Sequence, residues 1–199
     1  MKRLVIASNN AGKLKEIGAI LAPLAVEVVA QSAYAVSEAD EPHASFVENA
    51  IAKARHASRH TQLPALADDS GVCVDALGGA PGVHSARYAG EPRSDLRNNA
   101  KLVEALRGTA DRRAHYYCVV VLLRHVDDPQ PLIAEGAWHG EIIDTPRGGH
   151  GFGYDPHFLL PDFGKTAAEL DPKLKNRLSH RARALAGLLA RLRNEGTLR

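Results

Sequence analysis

Segments with the hydrophobic pattern of strands alternate with segments of helical period from the beginning of this sequence. Leu4–Ala7 is a short apolar run that predicts a buried strand, and Gly12–Leu21 places apolar residues at helical spacing. Val26–Ala30 predicts the next strand. Because such alternation is typical of helices packed on a sheet, the sequence predicts an α/β fold with a mixed central sheet and flanking helices.

The alternation continues towards the carboxyl end. Ser45–Glu48 matches a capping box and predicts a helix running to about Arg59. Two strands, Tyr116–Leu123 and Leu132–Ile143, are predicted to form a hairpin. The other predicted elements are a loop over Leu77–Gly90, a helix over Ser94–Leu106, a loop over Gly148–Pro156, a helix start at Asp171-Pro172, and a last helix over Ser179–Arg193 that buries Ala182, Leu185, Ala186, Leu188, Leu189 and Leu192. With no repeat or long linker, residues 1–199 are interpreted as one domain.

Charge and composition narrow the functional classes. The net charge is +2 with both signs mixed along the chain, which argues against a nucleic-acid partner, because such binders usually show a one-sided basic face. Leu4–Ala7 is too short an apolar run for a signal peptide or a membrane span, so we expect a soluble cytoplasmic protein with no membrane partner. Cys73 and Cys118 lie in apolar runs and are interpreted as buried thiols, not as a disulfide or zinc framework.

A polar turn lies between the first predicted strand and the first predicted helix. It consists of Ser8, Asn9, Asn10, Ala11, Gly12 and Lys13. The amino terminus of a helix presents backbone N–H groups and a positive dipole end, which suits a phosphate, and Lys13 adds positive charge. The turn is not a P-loop, and an asparagine-rich cap is an equally good interpretation of it alone.

Two adjacent carboxylates interrupt an apolar stretch at Asp68 and Asp69. We predict that they lie at a strand end facing a cleft, since carboxylates in apolar surroundings need a cation or a donor network. Mg²⁺ prefers oxygen ligands, and one of the pair could take a proton from a water molecule. Glu41, in an acidic segment, could add a ligand. The alternatives are a turn or cap for the pair and a solvated loop for Glu41.

Two later segments could contact a base or a phosphate. Gly151–Pro156 sets Phe152 and Tyr154 among glycines, so an aromatic ring could stack on a flat ligand while Asp155 accepts a hydrogen bond from it. Lys175–Arg181 is a basic stretch at a helix start. Each has an ordinary alternative: an aromatic loop anchor for the first and a solvated basic helix face for the second.

Taken together, these segments resemble the inosine/xanthosine triphosphate pyrophosphatase family. The resemblance runs from Ser8 to the last helix. Its specific parts are Ser-Asn-Asn-x-Gly-Lys, Ser-Phe-Val-Glu-Asn-Ala, Ala-Asp-Asp-Ser-Gly, Leu-Gly-Gly-Ala-Pro-Gly-Val-x-Ser-Ala-Arg-Tyr, Gly-Phe-Gly-Tyr-Asp-Pro and Ser-His-Arg. Each part is modest alone, but six in the same order leave little room for coincidence.

The resemblance implies an elongated α/β fold with a cleft between two lobes, a homodimer, and hydrolysis of ITP, dITP or XTP to monophosphate and pyrophosphate with Mg²⁺. It implies that Ser8–Lys13 hold the triphosphate, that Asp69 is the general base and a metal ligand, and that Glu41 and Asp68 lie near the metal. The residues implied to line the nucleotide pocket are Ser70, Phe152, Gly153, Tyr154, Asp155, Lys175, His180 and Arg181. Lys53 falls on another family position, for which the sequence predicts no role.

The implied mechanism is in-line attack of water on the α-phosphorus, with Asp69 as proton acceptor and Lys13 stabilising the leaving pyrophosphate. His180 or Arg181 would donate to the 6-oxo group, which an adenine lacks. Two rivals remain: a Maf-type pyrophosphatase acting on other modified nucleotides, and a non-catalytic nucleotide- or RNA-binding module. The intact Asp68-Asp69 pair and the near-neutral charge argue against the second.

Overall fold

The computed structural model describes residues 3–23 and 26–194. Within these residues, seven strands form one mixed sheet in the order β2-β1-β3-β4-β5-β6-β7. β1 pairs in parallel with β2 and β3, whereas β6 pairs antiparallel with β5 and β7. The strands are β1 (Arg3–Ile6), β2 (Glu27–Ala30), β3 (Ala65–Val74), β4 (Arg113–Leu123), β5 (Leu132–Ile142), β6 (Phe158–Leu160) and β7 (Lys165–Thr166).

Five α-helices accompany the sheet in the described residues. They are α1 (Ala11–Leu21), α2 (Phe46–Thr61), α3 (Asp95–Ala105), α4 (Pro172–Leu178) and α5 (His180–Asn194). Four helices begin with a capping side chain that accepts a hydrogen bond from a first-turn amide: Asn10, Ser45, Ser94 and Asp171. These caps fix where the helices α1, α2, α3 and α4 start. The predicted α/β class and mixed sheet are confirmed.

Several predicted boundaries differ from the structure. The loop predicted over Leu77–Gly90 contains a 3₁₀ segment, Gly82–Arg87, and the short strands β6 and β7 were not predicted because two or three residues carry no readable period. On α5, Ala186 is exposed and Ala184 is buried instead. The prediction for Ala186 was wrong because two alanines two positions apart lie on different helix faces and hydrophobicity alone does not distinguish them.

The described chain forms two compact units. The first takes in the segments up to Asp69, Cys118–Gly136 and the chain from Arg181 onward. Its core joins β1, β3 and β4 to α1 and α5 through Ile6, Leu66, Val120, Ile17 and Leu185. Cys118 is fully buried in this core, as predicted, and burial raises the pKa of its thiol to about 12.

The second unit consists of Ser70–Tyr117 and Ala137–His180. Its core is richer in aromatic rings, with Tyr116, Trp138 and Phe158 packed on Leu102 and Leu106 of α3. Cys73 in this unit is only partly buried, so the prediction of a buried thiol is wrong for that residue. No helix among the described residues is long and apolar enough to cross a membrane.

The prediction that Asp68 and Asp69 lie at a strand end was wrong. Both lie inside the ten-residue strand β3, at its fourth and fifth positions, and both are buried. The strand continues because Val72 and Val74 pack into the core of the second unit. Two buried carboxylates inside a strand are compatible with folding only when cationic partners compensate them.

Candidate active site

The turn before α1 has the geometry of a helix amino terminus. Oδ1 of Asn10 accepts from the backbone N–H of Lys13 at 3.0 Å, and Oγ of Ser8 accepts from the N–H of Asn10 at 3.2 Å. No acidic residue occupies the first turn of α1. The first-turn amides of a helix have no partner within the helix, so this end of α1 offers donors and a positive dipole end to an anion.

Asp68 is held by two cations. Its side chain is fully buried, and Oδ2 lies 3.0 Å from Nζ of Lys13. Nε and Nη2 of Arg181 donate to the same Oδ2 at 3.2 and 3.1 Å. Arg181, itself buried at the start of α5, also pairs with Glu16 of α1. Asp68 therefore ties the amino-terminal end of α1 to the start of α5.

Asp69 has a different set of partners. Its Oδ1 accepts from Nζ of Lys53 at 2.8 Å, and the same Nζ donates to Oε1 of Glu41 at 2.8 Å. The amide nitrogen of Asn49 lies 3.4 Å from Oδ2 of Asp69. Because successive residues of a strand point to opposite faces of the sheet, neighbouring aspartates must meet different elements. Asp69 meets α2, and Asp68 meets α1 and α5.

The pKa values of the two aspartates are shifted in opposite directions. Burial would raise the pKa of Asp68, but Lys13, Arg181 and Lys53 together outweigh it and hold the pKa well below its ordinary value. Burial is also the largest influence on Asp69, and there Lys53 and Lys13 do not overcome it, so the pKa is raised. Burial and charged partners therefore separate the pKa values of two carboxylates that are adjacent in sequence, with the pKa of Asp69 above that of Asp68.

Lys53 is the residue of this cluster to which the sequence assigned no role. It is buried on α2, and although burial alone would lower its pKa, Asp69, Asp68 and Glu41 raise it, so the ammonium stays charged. The sequence contains a signal that could have identified Lys53 as a functional residue. Asn49 and Lys53 are polar residues one helical turn apart on the face that buries Ala50, Ala54 and Ala57. A lysine on an alanine-rich buried face requires a carboxylate partner.

Glu41 and Asp69 have the donor chemistry of a divalent-cation site. Both are carboxylates brought to one ammonium group, and hard cations take oxygen ligands. Among the described residues, no group of three or more His, Cys, Asp or Glu side chains is close enough to hold a metal ion alone. One or two carboxylates are enough when substrate phosphate and water complete the shell, so the residues fit a cation that arrives with a nucleotide.

The glycine loop, which we define as residues 148–156, lies in the second unit and is built around Asp155. The Asp155 carboxylate is buried, and Oδ2 accepts from Nζ of Lys175 at 2.7 Å and from the N–H of Phe152 at 2.9 Å. Oδ1 accepts from the hydroxyl of Tyr116 at 3.2 Å. Gly151 has a φ of +80°, and a Cβ there would collide with this carboxylate. Gly151 is therefore required by both conformation and space.

The two aromatic residues of the glycine loop differ in role. Tyr154 is buried, and its hydroxyl donates to the backbone oxygen of Ser85 at 2.8 Å, which makes it a loop anchor. Phe152 is half-buried, and Nζ of Lys175 lies 5.0 Å from its ring centroid. His180 stacks on Tyr116 with centroids 4.6 Å apart and rings 8° from parallel. Ser70, next to Asp69 in β3, is half-buried.

The predicted site residues therefore fall into two clusters. Lys13, Glu41, Asp68, Asp69 and Arg181 share contacts in the first unit, with Lys53 joining them. Phe152, Asp155, Lys175 and His180 are linked in the second, through the Asp155 carboxylate and the Tyr116 ring. Gly153 lies between Phe152 and Tyr154 and is fixed by contacts of its own backbone to α3.

Comparison with known proteins identifies relatives that are similar over nearly the whole chain. A relative from Nitrosomonas europaea named dITP/XTP pyrophosphatase is 68% identical over 198 residues, covering 100% of this chain and 98% of the relative. One of the same name from Burkholderia pseudomallei is 66% identical, covering 96% of this chain and 93% of that protein. The solved structure of a HAM1 protein from Coxiella burnetii has a TM-score of 0.91 at 47% identity, covering 98% of this chain and 100% of that one.

The Staphylococcus aureus Ham1 structure gives the same result, with a TM-score of 0.87 at 40% identity over 98% of this chain and 100% of that one. The family model described as the Ham1 family matches residues 4–191, a range that contains every candidate residue above. The resemblance read from the six sequence motifs is thereby confirmed, and this chain belongs to the Ham1 family.

Proposed function

We propose that this protein hydrolyses non-standard purine nucleoside triphosphates, namely ITP, dITP and XTP, to the monophosphate and pyrophosphate in the presence of Mg²⁺. The curated relatives at 66–68% identity are named dITP/XTP pyrophosphatase, which supports this substrate class. The single observation that carries the mechanism is the difference in partners of two adjacent buried carboxylates: Lys13 and Arg181 hold Asp68, whereas Lys53 holds Asp69. These contacts shift the two pKa values in opposite directions. Two adjacent carboxylates with separated pKa values have separate jobs in acid–base chemistry.

Asp69 acts as the general base. Its raised pKa makes it a better proton acceptor than an ordinary aspartate. Lys53 donates to Oδ1 of the carboxylate. The other oxygen, Oδ2, would then accept the proton of the attacking water. Water attacks the α-phosphorus, its proton passes to Asp69, and the bond to the bridging oxygen breaks so that pyrophosphate leaves.

The amino terminus of α1 and Lys13 receive the triphosphate. Ser8, Asn9, Asn10, Ala11 and Gly12 form the turn, and Lys13 brings the ammonium that stabilises the leaving pyrophosphate. Asp68 holds Lys13 at 3.0 Å, so the lysine is positioned before the substrate arrives. Arg181 already donates to Asp68 and Glu16, and we assign it the task of fixing Asp68.

Glu41 and Asp69 would hold Mg²⁺, with Asp68 nearby. Bound with the substrate, Mg²⁺ would neutralise charge on the phosphate oxygens. Nζ of Lys53 donates to both carboxylates at 2.8 Å and keeps them close together. The chain's own contribution is thus a pair of oriented oxygen ligands whose mutual repulsion is compensated by one ammonium.

The base is recognised by residues of the second unit. Phe152 presents a half-buried ring for stacking, and Gly153, Tyr154, Asp155 and Lys175 shape the glycine loop. Stacking on Tyr116 fixes the plane of His180, which we assign as the donor to the 6-oxo group. Adenine presents an amino group at that position, so the His180 donor would have no acceptor. Such an unpaired donor supports strong discrimination against adenine nucleotides. Ser70 would contribute a hydroxyl contact.

The proposal includes a homodimer, which the family resemblance implies. It also includes a cytoplasmic location, because the nucleoside triphosphates to be hydrolysed are cytoplasmic. Light scattering during size-exclusion chromatography measures the dimer directly: a mass of twice 21.4 kDa supports it, and 21.4 kDa refutes it. Residues 1–199 are proposed to act as one catalytic domain.

The deciding experiment supplies purified protein and Mg²⁺ with dITP, XTP, dGTP, ATP or dTTP in water enriched in ¹⁸O, and analyses both products by mass spectrometry. The expected result is turnover mainly of dITP and XTP, with the label in the monophosphate. Label in pyrophosphate would mean attack at the β-phosphorus, and orthophosphate would mean attack at the γ-phosphorus. Either would refute Asp69-assisted attack at the α-phosphorus.

The same experiment separates the rival functions. Pyrophosphate release mainly from dTTP or another pyrimidine nucleotide would retain the mechanism and transfer the specificity to the Maf-type alternative. No turnover, together with salt-dependent RNA binding, would establish the binding-module alternative.

A further inference from the structure

Two side chains of α3 hold both backbone groups of Gly153. Oδ2 of Asp95 accepts from the N–H of Gly153 at 2.7 Å, and Nδ2 of Asn99 donates to its carbonyl oxygen at 2.9 Å. Asp95 and Asn99 are four residues apart, so they lie on one face of the helix, one turn apart. The peptide groups on both sides of the Gly153 Cα are therefore fixed to a rigid element.

Gly153 is a position where the loop needs such support. Its φ is +64°, and a Cβ there would meet nothing within 4 Å, so neither neighbouring packing nor a side chain of its own fixes this residue. Phe152 precedes it, and the N–H of Phe152 is bound to Asp155. The orientation of the Phe152 ring thus depends on two anchors, the Asp155 carboxylate on one side and the α3 pair on the other.

The hydrogen bonding of Asn99 indicates that this residue holds the glycine loop and contributes little to the stability of the fold. Its side chain is 92% buried, yet Oδ1 makes no hydrogen bond. A buried amide oxygen without a donor costs stability, so an apolar residue of the same size would be tolerated or favoured by the fold itself. The neighbouring Asn98 has no such defect: its amide accepts from the N–H of Ala89 and donates to the oxygen of Ala86.

We propose that Asp95 and Asn99 are positioning residues that set the conformation of the glycine loop and thereby its selectivity for the base. This inference rests on the proposed function for its kinetic consequence, but not for its structural one. Neither residue touches the reacting atoms. Their effect passes through the Gly153 peptide to the Phe152 ring and the Asp155 carboxylate.

The test compares Asn99→Leu, Asp95→Ala and the conservative Asp95→Asn with the wild type. Hydrogen exchange measured by mass spectrometry on peptides that cover residues 151–156 is the readout that needs no activity. The first two variants should exchange these amides at least about tenfold faster in the free protein, because a lost net hydrogen bond changes an equilibrium by about that factor. Asp95→Asn retains an acceptor oxygen and should stay near the wild-type rate.

The kinetic readout is the split between KM and kcat with dITP and dGTP. Asn99→Leu and Asp95→Ala should raise KM for dITP about tenfold, leave kcat within about threefold, and reduce the preference for dITP over dGTP. Asn98→Leu is the structural control, since it should lower the melting temperature without changing exchange of residues 151–156. Glu104→Gln, exposed on the same helix, should change neither quantity.

Each outcome is decisive. Unchanged exchange of residues 151–156 in Asn99→Leu and Asp95→Ala would overturn the proposal, as would a loss of stability alone that matches Asn98→Leu. If the wild type hydrolyses no nucleotide, the proposed function fails. The exchange data then still decide whether α3 fixes the loop.

Discussion

Nζ of Lys53 lies 2.8 Å from Oδ1 of Asp69, and this contact joins a buried ammonium on α2 to a buried carboxylate inside β3. The contact does not bring the pKa of Asp69 down to its ordinary value, because burial outweighs it. Lys53 therefore sets how far the pKa of the proposed base is raised.

Replacing Lys53 by Met should raise the pKa of Asp69 further, since the largest opposing influence is lost. We expect kcat at pH 7 to fall by at least about 10²-fold, the range seen when general-base catalysis is lost. Activity should partly return as the pH rises, because Asp69 is then ionised again. Arg55→Met, exposed two residues along α2, is the matched control; a fall in rate that does not change with pH would contradict the assignment.

Replacing Asp69 by Asn should reduce turnover by about 10²–10⁴-fold and leave the protein folded. The amide oxygen can still accept from Lys53, and a group whose ionisation burial opposes is replaced by a neutral one of the same shape. Single-turnover kinetics and circular dichroism measure the two effects separately. A rate similar to that of the wild type would remove Asp69 from the mechanism.

The pH profile of kcat/KM, which reports the free protein, should show an acid limb above the ordinary aspartate pKa of about 3.9. The sign follows from burial: the folded state favours protonated Asp69, so its neutral form persists to a higher pH and the base is inactive there. Measurement of kcat/KM for dITP between pH 4 and pH 9 tests this. An acid limb at or below the ordinary value would contradict the raised pKa.

The lowered pKa of Asp68 should make the folded protein more stable at neutral pH than in acid. Its folded pKa lies below the unfolded value, so the stabilisation is complete above about pH 4 and is lost as the pH falls below that value. Removing one partner of a buried ion pair costs about 3–5 kcal/mol, so Asp68→Asn should lower the free energy of unfolding by that amount at pH 7 and flatten its acid dependence. Urea titrations at pH 7 and pH 3 measure both, with Asp111→Asn, in an exposed pair with Arg113, as control. An unchanged urea midpoint at pH 7 would contradict the role.

The two glycines at 149 and 151 form a matched pair. A Cβ at Gly151 would collide with the Asp155 carboxylate in a backbone conformation with φ of +80°, whereas a Cβ at Gly149 meets nothing within 4 Å. Gly151→Ala should cost about 1–3 kcal/mol of stability and raise KM for dITP, and Gly149→Ala should do neither. Thermal melting and KM measurements check this; equal effects of the two variants would show that the loop is not built around Asp155.

Much of the fold could be predicted from the sequence because local signals were strong. The caps at Asn10, Ser45 and Asp171 fixed the helix starts to within a residue, and the apolar runs located β1, β4 and β5. The position of Asp68 and Asp69 inside β3 was missed for a physical reason. Their charge is compensated by side chains far away in the sequence, and a local pattern cannot show that compensation.

The contacts of two predicted site residues were not predicted for the same reason. Arg181 was expected among the residues of the base pocket, whereas its guanidinium binds Asp68 and Glu16, 113 and 165 residues away. Tyr154 was expected as a possible stacking ring and is a buried anchor. The motifs predicted which residues form the candidate site, but the partner of each side chain depends on tertiary contacts that a local motif does not contain.

The alternation of side chains along β3 has a consequence for insertions and deletions. Asp68 and Asp69 reach different partners only because the strand pairs with β1 in one register, with Ala65 opposite Val5. A slip by one residue would keep every backbone hydrogen bond available but exchange the faces to which the two carboxylates point. Asp68 would then face α2, and Asp69 would face the side on which Lys13 and Arg181 lie. Loss of a single residue between Pro64 and Asp68 would therefore move the proposed base to the partners of Asp68 without removing any of the candidate site residues.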